Sequence, residues 1–502
     1  VSAGGCALVS SSSKIDPNFG HETVPCFEYS IDLQGGRKMN TLAINKAWLS
    51  DFLHESQAIF KFSFPIMFCK VGFMTLGMVD AAMLGELGVN ELAGSGVARA
   101  IFLPMSVFFM GILFSIDVFS SHALGANRKK DIEKIFFSGM QLAFILSIIF
   151  FVFTVFSSKL IWIFGINKEV AISAERYLFH LSFGTPFLIF NLAIQRFLLT
   201  QKIIAPFVWI IIISNVLNYY LNKALIFGEY GFTATGIVGA AAATNISRIL
   251  VFIACIALCA YYFLVVEKNL IRIRNLFSFD RKAMLKMFCF GVPSGGQRVL
   301  EVALFSLLTM FSSRLAIAET AAHHVAMLIL NFCHNYPVAL SSTAAIRIGN
   351  FIGKHQDAEA KLAGFCTIFW GTVFMALNAA ALFLFPETIM RIFTNDTEVI
   401  LFGRSIAWML GLCLILDGLQ GSCIGALRGG GENKISFYAS IIGYYPVALL
   451  LSYALCFWLN LGLLGLWLGL TLGFASVSLL VLSFWTHFKP KLILITSEHE
   501  AS

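Results

Sequence analysis

Four carboxylates interrupt the long apolar stretches of this 502-residue chain: Asp80, Asp117, Glu301 and Asp417. In hydrocarbon an ionised side chain costs about 2.5–3.5 kcal/mol even on the lenient insertion scale, so it persists only with a partner, water or a task. A carboxylate held there can take up a proton, or it can bind a sodium ion together with neighbouring oxygens. Glu301 and Asp417 lie well inside apolar stretches, where function outweighs a simple buried pair with Arg298. Asp80 lies about a turn from the end of its stretch, and Asp117 near a membrane interface, where hydration alone would account for it. Asn215, Asn218 and Asn222 follow at i, i+3 and i+7, on one helix face. Beside Asp80 they make an oxygen-lined pocket for H⁺ or Na⁺, or else a hydrogen-bonded seam between helices. His323 and His324 either titrate near neutral pH or sit wetted at an interface. Tyr219, Tyr220, Tyr444 and Tyr445 could stack on aromatic cations or belong to an interfacial belt.

Other chemistries lack their residues. GNFIGKH, from Gly349 to His355, has neither the spacing nor the Ser/Thr of a phosphate loop. The eleven cysteines fall mostly within apolar runs without metal-ligand spacing, and Cys255 and Cys259 read as packing. No nucleophile–base pair or zinc motif stands out, so no enzyme activity and no cofactor are expected. The driving energy is expected from an ion gradient.

The elements that must hold these residues are membrane helices. A chain that is 58% hydrophobic and only 13% charged has too little polar surface for a water-facing globule. Twelve stretches of spanning length can be marked, six before and six after a basic segment at 267–286 that carries Lys268, Arg272, Arg274, Arg281, Lys282 and Lys286. The two flanks repeat: Pro65 recurs as Pro293, Glu91 as Glu319 and Gly125 as Gly353, all at one offset. The expected fold is therefore all-α and integral to the membrane, with two parallel six-helix lobes around a central cleft. The expected division is a polar N-terminal extension over 1–50, an N-lobe over 51–266, the linker 267–286, a C-lobe over 287–486 and a tail over 487–502. Residues 1–38, which precede the first methionine, Met39, read as a disordered extension or a misassigned start. Prolines 65, 104, 186, 293, 337 and 446 fall within spans and are expected to kink them. Lys and Arg crowd the even-numbered connections and the linker, as at Arg128, Lys129 and Lys130. Only Lys159, Lys168, Arg176, Arg314, Arg391 and Arg404 occupy the others. By the positive-inside rule both termini face the cytoplasm, and the net charge of +7 reads as orientation, not nucleic-acid binding.

Several stretches together resemble the multidrug and toxic compound extrusion (MATE) transporters. They are GMVDAAMLGELGVNELAGSGVA from Gly77, IDVFSSHALGANRKKD from Ile116, LNYYLNKALIFG from Leu217, GVPSGGQRVLEVALF from Gly291, AAHHVA from Ala321 and GALRGGGENK from Gly425. The likeness runs from about residue 55 to 485. It implies an H⁺- or Na⁺-coupled antiporter that exports organic, cationic drugs and toxic compounds by alternating access. Such a protein would be a monomer in a bacterial inner membrane, with the bilayer and small organic cations as its partners. Asp80 falls where bacterial members place the N-lobe acid. Asn218 and Asn222 match the polar pair of helix 5, and Glu301 and Asp417 match the C-lobe acids. Asp117 sits in a stretch similar to a motif of eukaryotic members, much altered here. The expected coupling residues are thus Asp80, Asn218, Asn222, Glu301 and Asp417, with Asp117, Asn215 and His323 as secondary candidates. Sodium, if used, is expected at Asp80 with Asn218 and Asn222, or at Glu301 with Asp417. The acids are not duplicated, because Asp80 corresponds to Leu308 and Glu301 to Phe73, so the lobes are expected to share a scaffold but not a task. The rival reading is a lipid-linked oligosaccharide flippase of related architecture, with few buried Lys or Arg arguing against it.

Overall fold

The computed structural model describes residues 41–266 and 280–495. Lys268, Arg272 and Arg274 of the linker lie outside the described residues. The N-lobe comprises α1 (Thr41–Leu87), α2 (Val89–Gly125), α3 (Lys129–Leu160), α4 (Lys168–Ser182), α5 (Thr185–Thr200), α6 (Ala205–Phe227) and α7 (Ile237–Tyr261). The C-lobe comprises α8 (Arg281–Ser312), α9 (Ile317–Gly353), α10 (Asp357–Leu384), the short α11 (Pro386–Arg391), α12 (Thr397–Gly429), α13 (Lys434–Trp458) and α14 (Gly462–His487). Nine of these are long and apolar enough to cross a membrane, and α4 with α5, bent by 51°, makes a tenth span. The more polar α8 and α9, of 32 and 37 residues, complete six spans per lobe. Helix α1 begins ten residues inside the stretch set aside from sequence as an extension, and α8 takes up Arg281, Lys282 and Lys286 of the linker.

The internal repeat reappears in the helix bounds. Helices α2 and α9 are both 37 residues long and start and stop at repeat-related positions. Gly125 and Gly353, which the repeat pairs, lie against each other, so that a Cβ on either would strike the other's backbone. A Cβ on Gly111 would likewise strike the backbone of Gly295, and one on Gly291 the backbone of Ile112. Small residues at these crossings let backbones touch where lipid provides no hydrophobic drive.

Proline acts differently at different positions. Helices α1 and α8 run unbroken through Pro65 and Pro293. Pro186 does not interrupt a helix, as expected from sequence, but stands in the first turn of α5, where its missing N–H leaves no bond unmade. Pro446 sits in a π-helical stretch, Gly443–Leu449, a widened turn that accommodates the freed carbonyl.

The lobes meet at one end. There α2 packs along α8 and α9. The first half of α1 reaches α9 and α10, through a Glu55–Arg347 ion pair and a Trp370 Nε1–H···Oγ Ser56 bond of 2.8 Å. Lys134 pairs with Asp280 at 2.7 Å, and Asp280 also caps α8 by accepting from the Ala283 N–H. The tail returns to the same end, where the Ile493 N–H donates to His122 Nδ1 and His122 Nε2–H donates to the Gly429 carbonyl. Asn335 Nδ2, 3.6 Å from the Met74 sulfur, is the last such link before the lobes part. Beyond it, among the described residues, no hydrogen bond or ion pair crosses between them. The joined end is the one that carries the basic connections.

Candidate functional site

In the N-lobe, Asp80 near the end of α1 is 2% exposed and has both oxygens occupied. Asn222 Nδ2–H donates to Oδ1 at 2.7 Å, and the Thr244 hydroxyl donates to Oδ2 at 2.9 Å. Asn222 also donates to Asn218 Oδ1 at 3.2 Å, so the polar face of α6 does meet Asp80. Asn215 does not take part: it bonds back to the Ile211 carbonyl of its own helix. The buried Asn218 Nδ2 and Asn222 Oδ1 lack partners, which leaves one donor and one acceptor free beside the carboxylate. Arg99 and Arg248 are the cations whose fields reach Asp80.

In the C-lobe, Glu301 of α8 and Asp417 of α12 are brought together by two nitrogen bases. Arg298 Nη1 lies 3.1 Å from Glu301 Oε2 and 3.1 Å from His334 Nε2, while His334 Nδ1 lies 2.9 and 3.1 Å from the Asp417 oxygens. Glu301 Oε1 is buried without a partner, 3.9 Å from His334 Nε2. Gln420 and Tyr444, bonded to each other at 2.5 Å, close the cluster on the α13 side.

A third cluster lies where the lobes join. Asp117 is not hydrated at an interface, as its place in the sequence suggests. It is fully buried and accepts from Arg196 Nη1 at 3.0 Å, and the same nitrogen reaches Ser342 of the other lobe at 2.9 Å. Phe114 is flanked by Arg196 and Arg428, whose guanidinium carbons lie 4.2 and 4.1 Å from its ring centre. Lys70, 3.9 Å from the Met110 sulfur, and Arg298 lie within the same field. Buried basic residues are therefore not few, which removes the sequence argument against an anion-binding cleft.

His323 stands apart from all three clusters. It is buried against Trp467 with a 3.1 Å contact to the Thr309 hydroxyl, so it is not wetted at an interface and does not join the coupling candidates Glu301 and Asp417. Tyr219 and Tyr220 are exposed on α6, whereas Tyr444 is buried. Sequence reasoning passed over Thr244, His334, Arg196 and Lys70. The rule that an ionisable residue within a span needs an explanation finds the last three when applied to bases as well as acids.

Two six-span lobes that bury ionisable groups within their spans, and join at one end, have the construction of a secondary transporter. Residues 65–223 and 293–454 match the MatE family, and the chain belongs to it; its members are transporters, not enzymes. The chain is 26% identical over 426 residues to the probable multidrug resistance protein NorM of Burkholderia mallei, covering 83% of this chain and 89% of the relative. It is 25% identical over 442 residues to the multidrug resistance protein NorM of Photobacterium profundum, at 86% and 95% coverage. Among solved structures the fold is similar to that of the eukaryotic MATE transporter AtDTX14, with a TM-score of 0.78, 22% identity, and 88% and 97% of the two chains covered. A MOP superfamily transporter from Pyrococcus furiosus matches at a TM-score of 0.77 and 19% identity, with 86% and 95% covered. The protein is thus a multi-pass membrane transporter of this family.

Proposed function

We propose that the protein is an antiporter, driven by H⁺ or Na⁺, that exports organic cations across a bacterial inner membrane by alternating access. It would work as a monomer with both termini in the cytoplasm. The observation that carries this reading is a buried carboxylate site in each lobe, clear of the end where the lobes meet. Binding an ion at Asp80, or at the Glu301–Asp417 cluster, cancels a charge whose partners sit on other helices. Those helices then repack, and the substrate is released on the open side. Coupling follows if the acids bind the ion with different affinity in the two states. The basic connections at the joined end support a cytoplasmic placement of that end.

One observation favours a second reading. Lys70, Arg196 and Arg428 with a single carboxylate, Asp117, suit an anionic substrate group at the junction, as a flippase of anionic lipid-linked sugars would need. The two readings separate in proteoliposomes given imposed pH and sodium gradients in turn. The antiporter reading expects export of ethidium under one gradient and none of fluorescein. Movement of fluorescein without ethidium would instead establish the anionic reading.

A further inference from the structure

Past the end of α14 the chain turns back over the protein. Residues 488–495 run without helix across the joined end, and they touch both lobes. Phe488 and Leu492 pack on the apolar cluster of the C-lobe, whereas Ile493 and Ile495 pack on the one built around α2, α3 and α5. The backbone is fastened at three points. The Lys491 N–H donates to the Gly430 carbonyl, just past α12, at 2.9 Å. The Ile493 N–H donates to His122 Nδ1 of α2 at 2.9 Å, and Lys286 Nζ of α8 donates to the Leu494 carbonyl.

The receiving surface is shaped for this segment. A Cβ on Gly430 would meet the Phe488 ring at 2.7 Å, and one on Gly431 would meet the Lys491 carbonyl oxygen at 2.7 Å and Ile493 Cδ1 at 2.9 Å. Gly430 has a right-handed backbone that any residue could adopt, so it is the space beside it that calls for glycine. Gly431, at φ 89°, is required on both counts.

His122 completes the fastening. Its Nδ1 accepts from the Ile493 N–H, so the ring proton lies on Nε2, which donates to the Gly429 carbonyl at 2.9 Å. One fully buried N-lobe side chain thus holds the tail with one nitrogen and the C-lobe with the other. When the lobes part at this end, α2 moves away from α12 and α14. The tail is joined covalently to α14 and hydrogen-bonded to α2, with no helical turn between to pay out as slack. It cannot keep both holds, so its contacts with α2 belong to the closed form alone.

We infer that residues 488–495 are a strap that locks the joined end and comes off α2 each time that end opens. Contacts made in one form only shift the balance between the two, so the strap sets how far the closed form is favoured. Its place in the transport cycle rests on the alternating-access reading; its contacts do not.

Truncation after His487 removes the strap, and truncation after Ile495 keeps it as a control. In hydrogen-exchange mass spectrometry on the purified proteins, amides near the ends of α2 and α12 are expected to exchange at least about tenfold faster without the strap, and at the wild-type rate in the control. Unchanged exchange at these ends would overturn the proposal. If the truncation loosens every helix instead, Ile493→Pro decides the matter, because it keeps the chain and an apolar residue but has no N–H for His122. Faster exchange confined to the joined end is the expected result for this variant, and a wild-type pattern contradicts the strap. Transport gives a second readout. Ethidium presented at the joined end binds there only to the form open at that end, so its half-saturating concentration is expected to fall several-fold in Ile493→Pro, roughly as the open fraction rises. An unchanged value alongside faster exchange would make the tail a seal with no part in the cycle. If neither gradient moves ethidium in wild type, the antiporter reading fails, and exchange at the joined end still decides the strap.

Discussion

Asp80→Asn is expected to abolish gradient-driven export coupled through the N-lobe while leaving a folded protein. The carboxylate has two acceptor oxygens, and each is used, one by Asn222 and one by Thr244. An amide keeps one acceptor and turns a second donor toward a neighbour that also donates, a mismatch worth about 1–3 kcal/mol. The free Asn222 Oδ1 can accept that new N–H if the α6 amide rotates, which limits the damage to stability. What cannot be restored is the charge. An amide neither binds a proton nor balances a cation, so the state dependence that couples ion to substrate disappears from this lobe. Export under each gradient, read beside the melting temperature in detergent, separates loss of coupling from loss of fold. Because the acids are not duplicated, Glu301→Gln should give a different defect, such as altered substrate range or a change in pH response. Identical loss of ion-driven transport in both variants would rule out a division of labour between the lobes.

Asp117→Ala carries the largest expected cost in stability. Asp117 is fully buried and Arg196 is 1% exposed, and the pair is joined at 3.0 Å. Removing one partner of such a pair leaves an uncompensated charge, which costs about 3–5 kcal/mol. The surroundings here make it worse. Without Asp117, Arg196 and Arg428 face each other across Phe114 with Lys70 nearby, and no other acid among the described residues lies between them. The same physics predicts a recovery. Replacing both partners, as Asp117→Ala with Arg196→Leu, removes the orphaned charge and should restore most of the lost stability. A double-mutant cycle on thermal unfolding in detergent tests this. A double variant as unstable as the sum of the single changes would mean that the two residues do not act as a pair.

Much of the architecture is legible in the sequence, because it rests on signals spread over many residues. The repeat offset linking Gly125 to Gly353 pairs two stretches that the structure shows as 37-residue helices with matching bounds, but neither that length nor the contact between the two glycines is written in the offset. Asn218 and Asn222 can be assigned to one face because a helix period does so, and the family resemblance sets Asp80 in the same lobe as the acid that would complete an oxygen-lined pocket with them. Asn215 shares that face but lies a turn earlier in the helix, where its Nδ2–H donates to the Ile211 carbonyl of its own backbone. The remaining partners are brought together by tertiary packing, which leaves no periodic trace. Thr244 is one hydroxyl among many in α7. His334 lies a full helix away from Glu301 and much further from Asp417. Arg196, close to the basic end of its span, reads as an interfacial residue until the break between α4 and α5 and the approach of α9 bury it. Pro186 illustrates the same limit, since only the break shows that it begins a helix and does not kink one.

The central claim is that ion and substrate move in opposite directions through one cycle. Linkage makes this reciprocal: if an ion gradient drives ethidium, an ethidium gradient must drive the ion. The direct measurement uses proteoliposomes with equal pH and sodium on both sides, an internal pH indicator and ²²Na⁺, to which an ethidium gradient is applied. The account predicts movement of protons or sodium against the flow of ethidium, abolished when Asp80→Asn is combined with Glu301→Gln. Ethidium that equilibrates with neither ion responding would contradict antiport and leave a carrier of the same fold without coupling.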